Sequence, residues 1–486
     1  MTRPGSNKWL VLCLVCIAQF MVVLDATIVN VALPSIQADL EMAENDLQWV
    51  VNAYTLIFGG FLLLGGRAGD LIGRKRVFLA GVVVFTVASL LNAVATTDTF
   101  LILARGLQGL GAALVAPAAL SILTTTFDEG EDRTKALGIW AAIATGGAAV
   151  GLLLGGILVE YLSWPWIFYV NVPVGIAAFA ASLRYVPESR ADAEHRIFDL
   201  PGAVTVTAGL IVLVYGIVNV QEQGWTSAAT LGFFAAAIVL LTAFVLIELR
   251  QRAPLVRLGV FRIRPLRAAN VSMLLVASGL FAMFFFNTLY VQRVLGYSPL
   301  EAGLAFLPVT VGIGIGAGLS QPLVKRLGIR TTSTIGMTLA TIGMLLLTTS
   351  DRDGSYLSDV LLGLGPVSVG MGLTFVPVTL LATSGIEGRD AGLASGLFNT
   401  SQQVGGALGL AILSTLAVDR TEDFLGGLPG APTAADQGQA LVNGFHAAYV
   451  GGAAFFLGGI VVMLTLLKRS DEAQVDTDRP LTEMAA

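Results

Sequence analysis

The chain has 486 residues, of which 55% are hydrophobic and 13% charged, and its formal net charge is -5. A mean hydropathy of +0.78 with 56 glycines excludes a water-soluble globular protein and defines a polytopic α-helical membrane protein whose surrounding partner is the lipid bilayer. So small a net charge gives no basis for binding nucleic acid.

At about 20 apolar residues per span, the chain is read as fourteen transmembrane helices, over 9–33, 46–66, 77–97, 99–124, 136–159, 165–185, 200–220, 228–249, 267–291, 301–322, 331–349, 356–382, 393–416 and 446–468. The first run is too long for a signal-peptide core and is kept as a span. Cys13 and Cys16 lie on one face of it, with no second pair and no nearby histidine, and are read as packing residues.

Charge tests the count. With the N-terminus in the cytoplasm, the inner segments hold 24 of the 28 basic residues, the outer loops only Arg293, Arg352 and Arg420, and Arg105 falls within a span. That bias supports an even number of spans and both termini inside.

The segment from Gly66 to Arg76 after the second span is echoed by Gln321 to Arg330 after the tenth, which sets Gly73 against Gly328. Glycines of the fifth span are echoed by Gly405, Gly406 and Gly409 in the thirteenth. Helices 1–6 therefore correspond to helices 9–14, and the fold class is all-α: a six-helix bundle over 1–190, two inserted helices over 191–262, a second six-helix bundle over 263–470 and a disordered cytoplasmic tail over 471–486. Internal repeats of this kind mark secondary transporters that work by alternating access, with the site between the halves near the bilayer midplane.

Asp25 lies inside the first apolar run, where a carboxylate costs about 2.5–3.5 kcal/mol on insertion scales. It is eight residues from the outer end near Leu33, roughly 12 Å at 1.5 Å per residue, and Arg105 on the inward-running fourth helix lies roughly 9 Å from the same side. No other ionisable side chain is expected so deep in the bilayer, and pairing is the cheapest arrangement for both. Such a pair serves either as a proton switch or as a static bond between helices.

Gly147, Gly151 and Gly155 recur every four residues and let another helix approach closely, either as a seal against proton leak or as ordinary packing. Asp70 lies near Arg67 and Arg74, where the N-terminus of helix 13 can reach it, and Gly66, Gly69 and Gly73 imply close backbone approach there. An ordinary basic loop is the other reading. Asn30, Gln48, Asn52, Tyr54, Phe285, Phe286, Asn287, Asn399, Gln402 and Gln403 combine the polar and aromatic groups of a substrate cavity, although each also suits lipid contact or an interhelical hydrogen bond. Trp49, Trp164, Trp166 and Trp225 are read as an outer aromatic belt.

Several motifs resemble those of the fourteen-span drug:proton antiporter family of the major facilitator superfamily, over nearly the full length. Leu24-Asp25-Ala-Thr27-Ile-Val-Asn30-Val-Ala-Leu-Pro34 is similar to that family's first-span signature. Gly66 to Arg76 resembles the loop motif of the whole superfamily, which implies that Gly66, Gly69, Asp70, Gly73 and Arg74 form a cytoplasmic latch. Arg105-Gly-Leu-Gln108-Gly109-Leu-Gly111 is similar to the fourth-span motif, which implies a part for Arg105 in proton transfer. Gly138, Gly147, Gly151, Gly155 and Gly156 fall at the spacing of the antiporter motif.

Two positions depart from the pattern. Leu152 replaces the proline that follows the glycine matching Gly151, removing an expected kink. Pro165, between Trp164 and Trp166, replaces an arginine that would face Glu160.

The resemblance implies a major facilitator fold and proton-coupled export of an amphipathic or hydrophobic small molecule from the inner (plasma) membrane, with Asp25 as proton carrier. The chain is expected to act as a monomer, with protons and substrate as partners and no cofactor or metal. The competing reading is a carrier of the same fold for lipid, an endogenous metabolite or a nutrient. A membrane enzyme lacks support: no phosphate-binding loop or His-Glu-x-x-His occurs, and Ser368 lacks the first glycine of a nucleophile elbow. A channel lacks its charged ring or filter.

Overall fold

The computed structural model describes residues 8–127, 130–190, 198–251, 254–383, 391–468 and 471. Among these there is no strand. The helices of fifteen residues or more are α1 (Lys8–Asp39), α2 (Trp49–Ile72), α3 (Arg74–Ala93), α4 (Asp98–Thr126), α5 (Glu131–Tyr161), α6 (Asn171–Tyr185), α7 (Leu200–Gln223), α8 (Ala228–Arg250), α9 (Arg264–Leu289), α10 (Leu307–Leu327), α11 (Ile329–Leu347), α12 (Leu362–Thr383), α13 (Ala391–Gly426) and α14 (Ala434–Leu466). Short helical segments precede α2, α6 and α10 at Glu44–Leu47, Trp166–Tyr169 and Pro299–Ala305. The expected tail from 472 onward and the basic residue Arg389 lie outside the described residues.

Among the described residues, twelve helical segments are long and apolar enough to cross a membrane. The other two positions of the sequence reading are α5, whose apolar described part is Gly146–Tyr161, and α11, which has 19 residues. The helices start where polar side chains bond the free N–H groups of the first turn: Thr97 accepts from Phe100 at 3.3 Å, Asp199 from Gly202 at 2.9 Å and Ser227 from Thr230 at 3.1 Å. Ser298 and Thr433 each form a reciprocal capping box. Gly73 (φ +126°) and Gly328 (φ +84°) separate α2 from α3 and α10 from α11. Both take backbone angles that L side chains rarely adopt, so the sequence echo corresponds to two similar joints.

Packing partners repeat with an offset of eight helices. α1 packs on α5 and α6 as α9 packs on α13 and α14, α4 packs on α2 and α3 as α12 packs on α10 and α11, and α3 meets α6 as α11 meets α14. The two sets meet along α2 and α13, where Thr400 donates to the Gly59 carbonyl at 3.1 Å. α7 lies over that seam: Leu210, Val214 and Ile217 pack with Leu56, Val404 and Ala407, and Thr415 donates to the Ile217 carbonyl at 3.3 Å. α8 packs on α7 and leaves Leu231, Ile238, Val239 and Leu249 exposed.

The expected aromatic belt divides. Trp166 and Trp225 are exposed, but Trp49 and Trp164 are buried, and the Trp164 indole donates to Asp39 at 2.7 Å. The two sets also touch where α1, α5 and α9 end. Gln292 donates to the Val31 carbonyl at 2.9 Å, and Glu160 accepts from the Leu300 amide at 3.0 Å.

Candidate functional site

Asp25 and Arg105 meet in the interior. Arg105 Nη1 donates to Asp25 Oδ2 at 2.6 Å, and the side chains are 1% and 0% exposed respectively. α1 supplies the acid, α4 the guanidinium. The α4 glycines explain how other helices come near enough to join in: a Cβ on Gly109 would meet the Tyr54 backbone of α2, and one on Gly111 would lie 2.6 Å from the Phe85 nitrogen of α3.

The pair sits in a continuous polar network. Gln108, one turn from Arg105, accepts from its Nη1 at 2.6 Å and donates to Asp25 Oδ1 at 2.6 Å and to Ser89 at 2.8 Å. Asn92 donates to Gln108 at 2.7 Å, Asn171 of α6 donates to Asp25 Oδ1 at 3.1 Å, and Arg105 Nε donates to the Val50 carbonyl at 2.9 Å. The guanidinium carbon lies 4.5 Å from the Tyr54 ring centroid and 5.7 Å from that of Phe168, a cation–π arrangement. Asp25 thus accepts three hydrogen bonds, two from neutral amides and one from a cation. A buried ion pair needs such extra donors to offset its desolvation.

Gln108 stood in a motif, but Ser89, Asn92 and Asn171 gave no distinct signal beyond being polar side chains within apolar spans. Nor are Asp25 and Arg105 the only buried side chains of ionisable type among the described residues: Asp199 and Glu248, at the adjoining ends of α7 and α8, are 1% and 4% exposed.

The glycine row of α5 faces α1. A Cβ on Gly147 would lie 3.2 Å from Val23, one on Gly151 would meet Thr27 and the Leu24 carbonyl, and one on Gly155 would lie 2.9 Å from Ile28. The row therefore brackets the helix turn that carries Asp25. Gly156 faces the other way, 2.8 Å from Leu300 by the same measure, and Gly138 is half-buried. α5 runs without a break through Leu152, which is buried.

In the α2–α3 joint the expected close approach at Gly66 and Gly69 is absent. A Cβ there would find only ordinary contacts, 3.6 Å to Pro117 and 3.9 Å to Arg74. Gly65, one residue earlier, makes the approach, against the Ala113 backbone of α4. Asp70 accepts from Arg74 at 3.1 Å, while the residues leading into α13 lie outside the described set. Glu188, missed in the sequence, holds this joint by accepting from the Lys75 amide at 3.1 Å and pairing with Arg76 at 3.7 Å.

The expected substrate residues differ in burial. Gln48, Asn52, Tyr54, Phe285, Phe286 and Asn287 are buried, Asn30, Gln402 and Gln403 are half-buried, and Asn399 is exposed. Tyr54 packs on Arg105, and Phe285 and Phe286 pack into the core. Asn30, Asn287 and Asn399 each bond a carbonyl of the preceding turn, and Gln403 lies across from Gly59. Asn52 has both amide atoms buried without a protein partner. Two apolar grooves, one along Leu158, Leu162 and Trp166 and one along Leu307, Val311 and Ser368, contain none of these residues.

Apolar helices of this length around a buried ion pair define a multi-pass membrane protein. The Major Facilitator Superfamily profile matches residues 15–410, and the chain belongs to that family. It is 39% identical over 477 residues to the puromycin resistance protein pur8 of Streptomyces alboniger, covering 98% of this chain and 94% of that one. To the cephamycin export protein CmcT of Amycolatopsis lactamdurans it is 41% identical over 477 residues, covering 96% and 95%. The fold is similar to that of a bacterial homolog of the human lysosomal transporter Spinster, with a TM-score of 0.66 at 15% identity over 99% of each chain. Its place is the inner membrane, as a multi-pass transporter among antibiotic resistance and export proteins.

Proposed function

We propose that this chain is a proton-coupled exporter of amphipathic or hydrophobic small molecules, antibiotics among them, working by alternating access with Asp25 as the proton carrier. In this reading it spans the membrane fourteen times with both termini in the cytoplasm. Helices α1–α6 and α9–α14 form two six-helix bundles over 1–190 and 263–470, and α7–α8 are inserted between them. The repeated packing partners and the cytoplasmic excess of basic residues support that arrangement. The relatives' names, which speak of puromycin resistance and cephamycin export, support the substrate class.

The observation that carries the reading is the buried contact of Asp25 with Arg105, Gln108 and Asn171. An ionised Asp25 uses all these donors. A protonated one carries a donor of its own and less acceptor capacity, so the bond to Arg105 weakens and α1 loosens from α4. Because α1 also packs on the α5 glycines and meets Gln292 of the second bundle, protonation acts where the two bundles join. The contacts of Gln292 with Val31 and Glu160 with Leu300 close the periplasmic end in this conformation. Moving one charge through the membrane potential supplies about 2.3 kcal/mol per 100 mV. Asp70, Gly73 and Arg74 hold the α2–α3 joint at the cytoplasmic end, with Glu188 as its brace.

The test is transport of a panel of antibiotics and cationic dyes in proteoliposomes under imposed pH gradients of either sign. Accumulation driven by opposite proton movement supports export by antiport. Accumulation in the same direction as protons, or none of any compound under either gradient, overturns it.

A further inference from the structure

Asn52 of α2 has no exposed surface, and neither the nitrogen nor the oxygen of its amide has a hydrogen-bond partner. Among the described residues it is the only buried side-chain amide with both ends left so. An amide brings two donors and an acceptor, and leaving them unmade away from water is a cost that folded chains rarely carry. Its position shows when that cost is incurred.

Trp49, Asn52, Leu56, Gly59 and Leu63 follow one another at intervals of three and four residues and form one stripe along α2. The stripe faces α13. A Cβ on Gly59 would lie 2.8 Å from Gln403, and one on Gly396 would lie 2.5 Å from Leu63, while Trp49 and Leu56 share an apolar cluster with Val404, Ala407 and Ala411. The two helices cross in opposite directions, so Asn52, seven residues before Gly59 and roughly 10 Å from it along α2, faces later turns of α13. Beyond it the short segment Glu44–Leu47 also meets α13, so the seam is shut on both sides of the amide. The same turn of α2 meets the ion pair from its other face: the Val50 carbonyl accepts from Arg105 Nε at 2.9 Å, and the Tyr54 ring lies 4.5 Å from the guanidinium carbon.

We propose that Asn52 is a gating residue, whose amide goes unbonded only while this part of the α2–α13 seam is shut and is hydrated when the seam parts. The step rests on the alternating access and orientation of the preceding section, which put the start of α2 at the outer face. The penalty falls on the closed state alone, so it lowers the population of that state without any contact being made in the open one. An apolar residue at this position would complete the stripe and hold the seam shut. Because Val50 and Tyr54 belong to the same turn, release of Arg105 when Asp25 takes up a proton frees the segment that the amide already favours moving.

Electron–electron double resonance in nanodiscs reads the seam directly, with spin labels at Ala43→Cys, beside the start of α2, and Glu422→Cys, near the end of α13, both exposed positions, in a Cys13→Ala/Cys16→Ala background. The protein with Asn52 intact is expected to show a short and a long distance. Asn52→Leu should shift their ratio about tenfold toward the short one, equivalent to about 1.4 kcal/mol. Asn52→Ala removes the amide without adding bulk and should shift the ratio the same way, which keeps the test decisive where the leucine variant fails to fold. An unchanged ratio, or a shift toward the long distance, overturns the proposal. Failure of alternating access appears differently: a single distance at every pH with Asn52 intact overturns that reading, and the gate with it.

Discussion

The seam of α1 with α5 and the seam of α9 with α13 are built alike and used differently. In the first, Gly147, Gly151 and Gly155 admit the turn of α1 around Asp25; in the second, Gly405, Gly406 and Gly409 admit Leu274, Ser278 and Phe281 of α9. Yet the first bundle encloses an ion pair with three amides around it, while the buried polar residues described in α9–α14 are Asn, Ser and Thr, without a charge among them. Close helix packing is therefore a property of both sets of helices, and a buried ion pair is a property of one. In the proposed function, that one-sided charge is what lets a single titration tilt one bundle against a neutral partner.

The comparison breaks most severely at the ion pair. Asp25→Ala leaves the Arg105 guanidinium buried without its anion, an expected loss of about 3–5 kcal/mol, read as a lower unfolding temperature in detergent. Asn287→Ala in the second bundle removes one neutral hydrogen bond, worth about 1 kcal/mol. Equal losses at the two sites would contradict the asymmetry.

Next come the donors. Asn171→Ala removes one hydrogen bond to a charged group, about 1.5–3 kcal/mol, and should shift the pH profile of transport because Asp25 then keeps only the Gln108 amide and Arg105. An unchanged profile would show Asn171 to be packing alone. The glycine rows sharpen the point further. Gly151→Leu pushes into Thr27 and the Leu24 backbone, while Gly406→Leu meets the Phe281 ring; overpacking costs about 1–3 kcal/mol. Both variants should lose stability, but only Gly151→Leu should uncouple transport from the gradient.

The smallest effects separate the two glycine types of the α2–α3 joint. Gly73→Ala forces a side chain into a backbone conformation costing about 1–3 kcal/mol and toward Glu188. Gly66→Ala has room for its methyl group and should change stability by less than about 0.5 kcal/mol. Thermal melts of the two variants check the pair.

Hydropathy and basic-residue bias made the helix order legible, since each span must bury its own backbone and the charges must stay on one side. The meeting of Asp25 with Arg105 was legible because helix rise fixed their depths and two deep charges have few affordable partners. Asn171, Ser89 and Asn92 were not, because an amide or hydroxyl in a span is cheap enough to be placed almost anywhere. Trp49 and Trp164 misled for the opposite reason: an indole at a helix end satisfies its N–H equally well from water or, as Trp164 does, from Asp39. Gly65 escaped notice beside the more familiar Gly66, since which glycine faces α4 depends on a rotation that the pattern leaves open.

The central claim is that Asp25 exchanges its proton as substrate enters. Proton release on adding a transported compound to the purified protein in weak buffer tests it directly. The account predicts release from the wild type and none from Asp25→Asn, with the compound still bound by both. Equal release from the two proteins would contradict it.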